Sequence, residues 1–177
     1  MAMHIALLRG INVGGHKMVA MSDLRDFLTR LGFDNVQSLL QSGNLVFESG
    51  KTPAQLEKML ETEAQKQLGL ATSFVIRTAD EWDAVVRRNP FPREAKSDPA
   101  LLVVMFMKEP FDASRLSIPG REVVKADGCE LYIFYPDGQG RSKLKIPAVG
   151  TARNWNTVLK LRNATVPVAV PPPSRRR

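Results

Sequence analysis

Residues 36–47 read Val-Gln-Ser-Leu-Leu-Gln-Ser-Gly-Asn-Leu-Val-Phe, two apolar runs separated by the polar, glycine-bearing Ser42-Gly43-Asn44. Such a pattern predicts a β-hairpin. Upstream, Leu24, Phe27, Leu28 and Leu31 recur at the spacing of one helical face, with Ser22 as a candidate N-cap and Gly32 as a left-handed stop. Further upstream, Ile5 to Leu8 is a short apolar run halted by Arg9-Gly10, which predicts a buried strand leading into a glycine loop. Downstream, Thr52-Pro53-Ala54-Gln55 spells a capping box with proline at the first helical position. Leu56, Met59, Leu60, Ala64 and Leu68 then line one face, and Gly69 ends the helix. Phe74 to Arg77 is a further strand. The order β-α-β-β-α-β predicts a ferredoxin-like lobe over residues 1–78, with two helices on one face of an antiparallel sheet.

The rest of the chain predicts a second, less regular lobe. Thr78-Ala79-Asp80-Glu81 is another capping box and opens a short helix through Trp82, Val85 and Val86 that Pro90 terminates. Residues 79–99 therefore read as a bridging helix and linker. Leu101 to Met107 is apolar without alternation, as expected of a central strand covered on both faces. A brief turn or helix is expected around Phe111 to Leu116. Glu122 to Ala126 and Glu130 to Tyr135 flank Asp127-Gly128-Cys129, a second hairpin. A final helix is expected from Thr151 to about Leu161, with Trp155, Val158 and Leu159 inward. The lobe over 100–164 thus reads as an incomplete β-α-β-β-α unit lacking a clear last strand, with no sequence repeat relating it to the first. Pro167, Pro171, Pro172 and Pro173 predict a disordered Pro/Arg tail over 165–177. The fold class is α+β with two lobes.

Composition narrows the function classes. With 44% apolar residues among 177 the chain can bury a core without staples, and its single cysteine, Cys129, excludes an intrachain disulfide. No apolar run approaches the length of a membrane span, and residues 1–8 are too short for a signal peptide, so a cytoplasmic protein is expected. The net charge is +7, from 25 basic and 18 acidic residues. After Asp137 there are nine Lys or Arg and no Asp or Glu, which leaves residues 1–137 at 16 − 18 = −2. A cationic segment of this kind attracts polyanions, phosphorylated ligands or acidic surfaces without selecting among them.

The stretch Ala6-Leu-Leu-Arg-Gly-Ile-Asn-Val-Gly-Gly15, with Met21-Ser-Asp-Leu-Arg25, Gly32-Phe33 and Gln41-Ser-Gly-Asn44, resembles the family catalogued as domain of unknown function 1697. Near the other end, Arg141-Ser-Lys-Leu144 and Thr151-Ala-Arg-Asn-Trp-Asn-Thr157 resemble that family's C-terminal signature. The resemblance implies a soluble, mostly bacterial α+β protein with ferredoxin-like lobes, and brings no substrate or catalytic residue. Relatives commonly place a longer helical segment between these last two motifs than Lys145 to Gly150 provides, and the Pro/Arg tail is peculiar to this chain.

Candidate ligand-binding residues lie in loops. Arg9-Gly10-Ile11-Asn12-Val13-Gly14-Gly15 follows a strand and precedes a helix, where glycines let backbone N–H groups converge on an anion beside Arg9. It matches neither the P-loop nor the dinucleotide spacing, and the glycines equally serve a tight loop. Ser42 and Asn44 of the hairpin turn could face the same region or simply make their own turn. Arg153 and Asn154 would belong to the first turn of the final helix, suited to phosphate or carboxylate, and Arg141 and Lys143 would share one face of an extended segment. The candidate anion site is therefore Arg9, Asn12, Gly14, Gly15, Ser42, Asn44, Arg141, Lys143, Arg153 and Asn154. His4 and His16 have no metal-ligand pattern around them, so neither a metal nor a cofactor is expected. Cys129, among acidic neighbours, has the surroundings of a thiol with a raised pKa. Glu57, Glu61 and the acidic residues 80, 81 and 83 read as exposed helical positions, leaving no acid/base couple and the question of enzymatic activity open.

Three functions are compatible with these readings. The first is a noncatalytic module binding nucleic acid or another phosphorylated polymer through the basic C-terminal surface, although the central strand carries only Phe106 as a base-stacking aromatic. The second is an enzyme or binding protein for a small phosphorylated or carboxylated metabolite in a cleft between the lobes. A protein-interaction adaptor using the tail is the third.

Overall fold

The computed structural model describes residues 1–13, 15 and 17–167. Its first half has strands β1 (Ala2–Leu8), β2 (Asp34–Leu39), β3 (Asn44–Ser49) and β4 (Phe74–Thr78), with helices α1 (Met21–Arg30) and α2 (Pro53–Leu68). The sheet order β2-β3-β1-β4, antiparallel throughout, is the ferredoxin-like arrangement expected. The α2 capping box forms as read: Gln55 N donates to Thr52 Oγ1 at 3.3 Å and Thr52 N to Gln55 Oε1 at 3.0 Å, while Gly69 takes the left-handed stop. At α1 the cap differs. Ala20 is the N-cap without a side-chain bond, and Ser22 lies inside the first turn.

Helices α3 (Ala79–Arg87) and α4 (Pro92–Ser97) occupy the stretch read as bridge and linker. The second half contains β5 (Leu102–Met107), β6 (Val123–Asp127), β7 (Glu130–Phe134), β8 (Gly150–Asn154) and α5 (Trp155–Ala164), with short 3-10 turns at Ala113–Arg115 and Gln139–Arg141. The last strand, missed in the sequence, is β8. Residues 150–154 pair antiparallel with β5, and the helix expected from Thr151 begins only at Trp155. With β8 in place the second sheet runs β6-β7-β5-β8, the same order as the first. The two halves are a structural repeat in which a 3-10 turn and a loop stand where α1 and α2 stand in the first.

Three apolar layers follow from strand alternation. Ala6, Leu8, Phe47 and Ile76 face α1 and α2, packing on Phe27, Leu28, Leu56 and Leu60. Ile5, Leu7, Val46 and Val75 face the opposite way, onto a core shared with Val104, Phe106 and Tyr132 of the second sheet and with Trp82, Val85, Trp155, Val158 and Leu161 of α3 and α5. Within it Trp82 stacks on Phe106 at 4.5 Å between ring centres and donates its indole N–H to Val158 O at 3.0 Å. The outer face of the second sheet, from Val103, Leu131 and Ile133, is covered by Phe111, Leu144, Ile146 and Ala148 of the loops.

Candidate functional site

Several predicted residues do converge, at the end of β1 where the glycine loop, the β2–β3 turn and β8 meet. Arg153 is the centre of the cluster. Placed on β8, it points into the shared interior and is buried to 7% exposure. Its Nε donates to Asn44 Oδ1 at 2.6 Å, Nη1 to Thr151 Oγ1 at 2.6 Å and Ala152 O at 2.8 Å, and Nη2 to Leu8 O at 3.1 Å and Ser42 O at 2.9 Å. Those five bonds use every N–H of a guanidinium. Burial draws its pKa down to about 10, so the group stays charged at neutral pH, and its hydrogen-bond partners among the described residues are uncharged carbonyl, hydroxyl and amide oxygens. Arg153 is therefore an inter-lobe clasp on a strand, in place of the anion-binding residue of a helix first turn read from the sequence.

The neighbouring amides are similarly committed. Asn44, fully buried, donates to Leu39 O and Ser42 Oγ, both at 2.8 Å. Asn12 donates to Val19 O at 3.0 Å and Gln41 O at 2.8 Å and accepts from Val19 N at 2.8 Å, so it closes the glycine loop and ties it to the hairpin. Its φ of +54°, and those of Gly10, Gly15 and Lys17, explain the loop's composition, since left-handed positions favour Gly and Asn. Asn154 caps α5, accepting from Thr157 N at 3.0 Å. Gly14 and His16 lie outside the described residues.

Arg9 is different. It is exposed, its Nε donates to Gly150 O at 3.2 Å across the lobes, and its two terminal nitrogens have no hydrogen-bond partner among the described residues. Lys17, at the far end of the loop, donates to Ala71 O at 2.7 Å. Arg9 and Lys17 line one concavity of about 340 Å³ with Gln65, Thr72, Ser73 and Glu61. Neither cation has a carboxylate within 4 Å among the described residues, whereas Glu61 is held by Lys108. Lys17 was missed in the sequence; two residues beyond Gly15, a loop lysine offered the signal.

Arg141 and Lys143 are not part of this cluster. Arg141 ends the 3-10 turn, and after it Ser142, Leu144 and Ile146 are partly buried while Arg141, Lys143 and Lys145 are exposed. Lys143 and Lys145 border a separate concavity of about 670 Å³ with Arg115, Phe111, Leu116 and Ile146. Of the other C-terminal cations, Arg162 is paired with Asp83 and Lys160 is exposed.

Glu57 and Glu61 also depart from the reading of exposed helical positions. Both are half-buried against β4, the edge of the first sheet. Their carboxylates accept from Ile76 N and Phe74 N, each at 2.9 Å, and Glu81 accepts from Thr78 N at 2.8 Å. Alternate outward amides of β4 are thereby satisfied and the edge is closed to further strands. Burial raises the Glu57 pKa, against the bond from Ile76 and the charges of Lys108 and Arg77. The thiol of Cys129 is also raised, by burial first and by Glu130, Glu109 and Glu57, against Arg77.

Among the described residues no group of three or more His, Cys, Asp or Glu is placed to hold a metal, and no helix is long and apolar enough to cross a membrane. No curated protein matches the chain. The solved structure of the conserved bacterial protein SP0830 from Streptococcus pneumoniae is similar, with a TM-score of 0.75 and 27% identity over 93% of this chain and 99% of that one. The family described as protein of unknown function, DUF1697, matches residues 1–132, and the chain belongs to that family.

Proposed function

We propose that this protein binds a small anionic metabolite, phosphorylated or carboxylated, at the Arg9–Lys17 loop where the first lobe meets Gly150 of the second. The observation that carries this reading is the pair of exposed cations lining one concavity with no carboxylate within 4 Å of either among the described residues, beside Thr72 and Ser73, while Glu61 of the same wall is paired with Lys108. A phosphate or carboxylate there would accept from the free end of the Arg9 guanidinium in the fork geometry that makes arginine selective for planar oxyanions. Because Arg9 also holds the second lobe's Gly150 O, ligand contact and lobe contact share one side chain. The Arg153 clasp supports the site from behind by fixing the hairpin on which Asn12 rests.

The test is thermal unfolding and calorimetric titration with inorganic phosphate, pyrophosphate, phosphorylated sugars and dicarboxylates. A ligand at a hundred times its Kd should stabilise the protein by about 2.7 kcal/mol. Binding should weaken at least about tenfold in Arg9→Gln and again in Lys17→Gln. No stabilisation by any of these anions, or stabilisation indifferent to both substitutions, would sink the reading.

A second reading keeps the stretch from Arg141 to Lys145 as a surface for an anionic polymer, on the observation that three exposed cations alternate with partly buried residues there. Single-stranded RNA or DNA bound there by three cations should show a salt slope of about −2. Retained binding in Arg9→Gln and loss in Lys143→Gln would favour the polymer over the metabolite.

A further inference from the structure

The two sheets touch twice through equivalent arginines, and the two contacts differ. Arg153 meets neutral Asn44 and is closed in. Arg77 on β4 meets Glu130 on β7 at 2.8 Å, and the space beside it stays open as a cleft of about 440 Å³ between α2, α3 and the β6–β7 hairpin. That volume lies in the range of small-molecule sites.

The cleft's charges are mostly spent on the protein. Arg77 is held by Glu130, Ile76 O and Met107 O; Lys108 is held by Glu61; Glu81 closes the capping box of α3. Glu57 and Arg88, of opposite sign, keep spare capacity, as does Asp127 beside Arg88. Glu57 has one oxygen bonded to Ile76 N and no cation within 4 Å among the described residues. Arg88 reaches Asp127 only at 3.9 Å, with both side chains largely exposed. The apolar part of the lining comes from Ala54, Ala84, Val85 and the ring of Tyr132, whose hydroxyl is already given to Val85 O at 2.7 Å. Four carboxylates and three cations line the cleft, but Glu81 and Glu130 are committed to the protein and no three His, Cys, Asp or Glu among the described residues are grouped to hold a metal ion.

We propose that this cleft binds a small zwitterion with the charge pattern of a free amino acid, its ammonium on Glu57, its carboxylate on Arg88 and its side chain against Ala84 and Val85. The cost of holding the Glu57 carboxylate half-buried beside Glu61 is then offset when the ammonium arrives, which makes Glu57 the selective contact. This site is independent of the Arg9–Lys17 concavity and shares none of its free groups.

The test follows backbone amide resonances of the full chain, Ala84, Val85, Cys129 and Glu130 above all, during titration with free amino acids, their methyl esters and their N-acetyl derivatives. Concentrations should run up to about 10 mM, past the millimolar onset of weak specific binding. Saturable shifts are expected with at least one free amino acid. The ester and the acetylated form of that same amino acid should bind at least about tenfold more weakly, as should Glu57→Gln and Arg88→Gln. Ala84→Met, which fills the cleft without touching a charge, should abolish the shifts while leaving phosphate binding at Arg9 unchanged. An absence of saturable shifts with every amino acid overturns the proposal. So does binding that survives Glu57→Gln or Ala84→Met, or binding to the ester as tight as to the zwitterion.

Discussion

Arg77 and Arg153 hold equivalent register positions in the two sheets, opposite Ile5 on β1 and Val104 on β5, and each sends its guanidinium into the other lobe. The reciprocity is detailed. Arg77 Nη2 donates to Met107 O at 2.6 Å, and Arg153 Nη2 to Leu8 O at 3.1 Å, three residues beyond the register partner in both sheets. Arg77 Nε meets Glu130 and Arg153 Nε meets Asn44, which pair with the equivalent residues Phe106 and Leu7. Leu8 N to Gly43 O and Met107 N to Cys129 O, both 2.9 Å, complete the match. A single chain thus contains the isologous interface of a symmetric dimer, with residue i touching j and the counterpart of i touching the counterpart of j.

Removing the two clasps should not cost the same. Arg153→Met leaves Asn44 Oδ1 and Leu8 O without donors in a closed interior, with Ser42 O at its rim, and a loss of about 3 kcal/mol is expected. Arg77→Met strands Glu130 and Met107 O beside an open cleft where water can replace the lost donors, so about 1–2 kcal/mol is expected. Urea unfolding of the two variants at equal pH decides it. Equal losses would show that the Arg153 end is as wet as the Arg77 end.

What was legible in the sequence divides along the range of the interactions. The capping boxes at Thr52 and Thr78 were readable because the cap and its reciprocal Gln or Glu lie within four residues, with a proline between them at Thr52. Thr151-Ala152-Arg153 was not readable as a strand, since its ladder partners are Val104 to Phe106 and the helical spacing of Trp155 and Val158 extends naturally backward over it. Arg153 looked like a solvent cation for the same reason. Its acceptors at Leu8, Ser42 and Asn44 are more than a hundred residues away in sequence. The repeat was hidden because neither α1 nor α2 has a helical counterpart in the second half, only a 3-10 turn and an extended loop. Arg9, Asn44 and Arg153 could be grouped from the sequence as candidates for one site, but not that Arg9 alone of the three would keep free donors among the described residues.

Glu57 gives the stability a defined pH dependence. Its folded pKa is raised by burial, so between the unfolded value near 4.5 and the folded value the native state binds more protons, and this residue's contribution falls as pH rises through that window. Glu57→Gln keeps an oxygen for Ile76 N and removes the buried charge. The variant should therefore melt higher than the wild type at pH 7 and at the same temperature below about pH 4, where both side chains are neutral. Melting curves across this range check the sign. A variant that is less stable at pH 7 would mean that the charges of Lys108 and Arg77 outweigh the desolvation of the carboxylate.

Glu61 serves two partners at once, the edge amide of Phe74 and the ammonium of Lys108 in the other lobe. Glu61→Ala is expected to cost about 1–2 kcal/mol and, more specifically, to speed hydrogen exchange at Phe74 while Val75, whose amide faces β1, stays protected. A uniform acceleration along β4 would instead indicate that the whole edge had opened.

Gly150 and Gly43 are positions where a methyl group has no room. At Gly150 a Cβ would come within 2.5 Å of Phe106 O and 2.8 Å of Met107 Cγ, so β8 would have to move off β5. At Gly43 it would meet Ile11 Cδ1 at 2.7 Å and Leu8 Cβ at 3.1 Å, and the residue also sits at φ +79°. Gly150→Ala and Gly43→Ala should each cost about 2–3 kcal/mol, overpacking in the first case and overpacking with left-handed strain in the second. Gly140→Ala, whose Cβ meets nothing within 4 Å at an unstrained φ, should be neutral to about 0.5 kcal/mol. The comparison also separates stability from binding: a β8 displaced by Gly150→Ala carries the carbonyl that Arg9 grips, so anion affinity at the Arg9–Lys17 concavity should shift with it. Gly43→Ala, acting through the hairpin and Ile11, should disturb Asn12 and the loop from the other side. If Gly150→Ala lowers the melting temperature yet leaves anion binding untouched, the Arg9 bond to Gly150 is dispensable to the site and the second lobe takes no part in it.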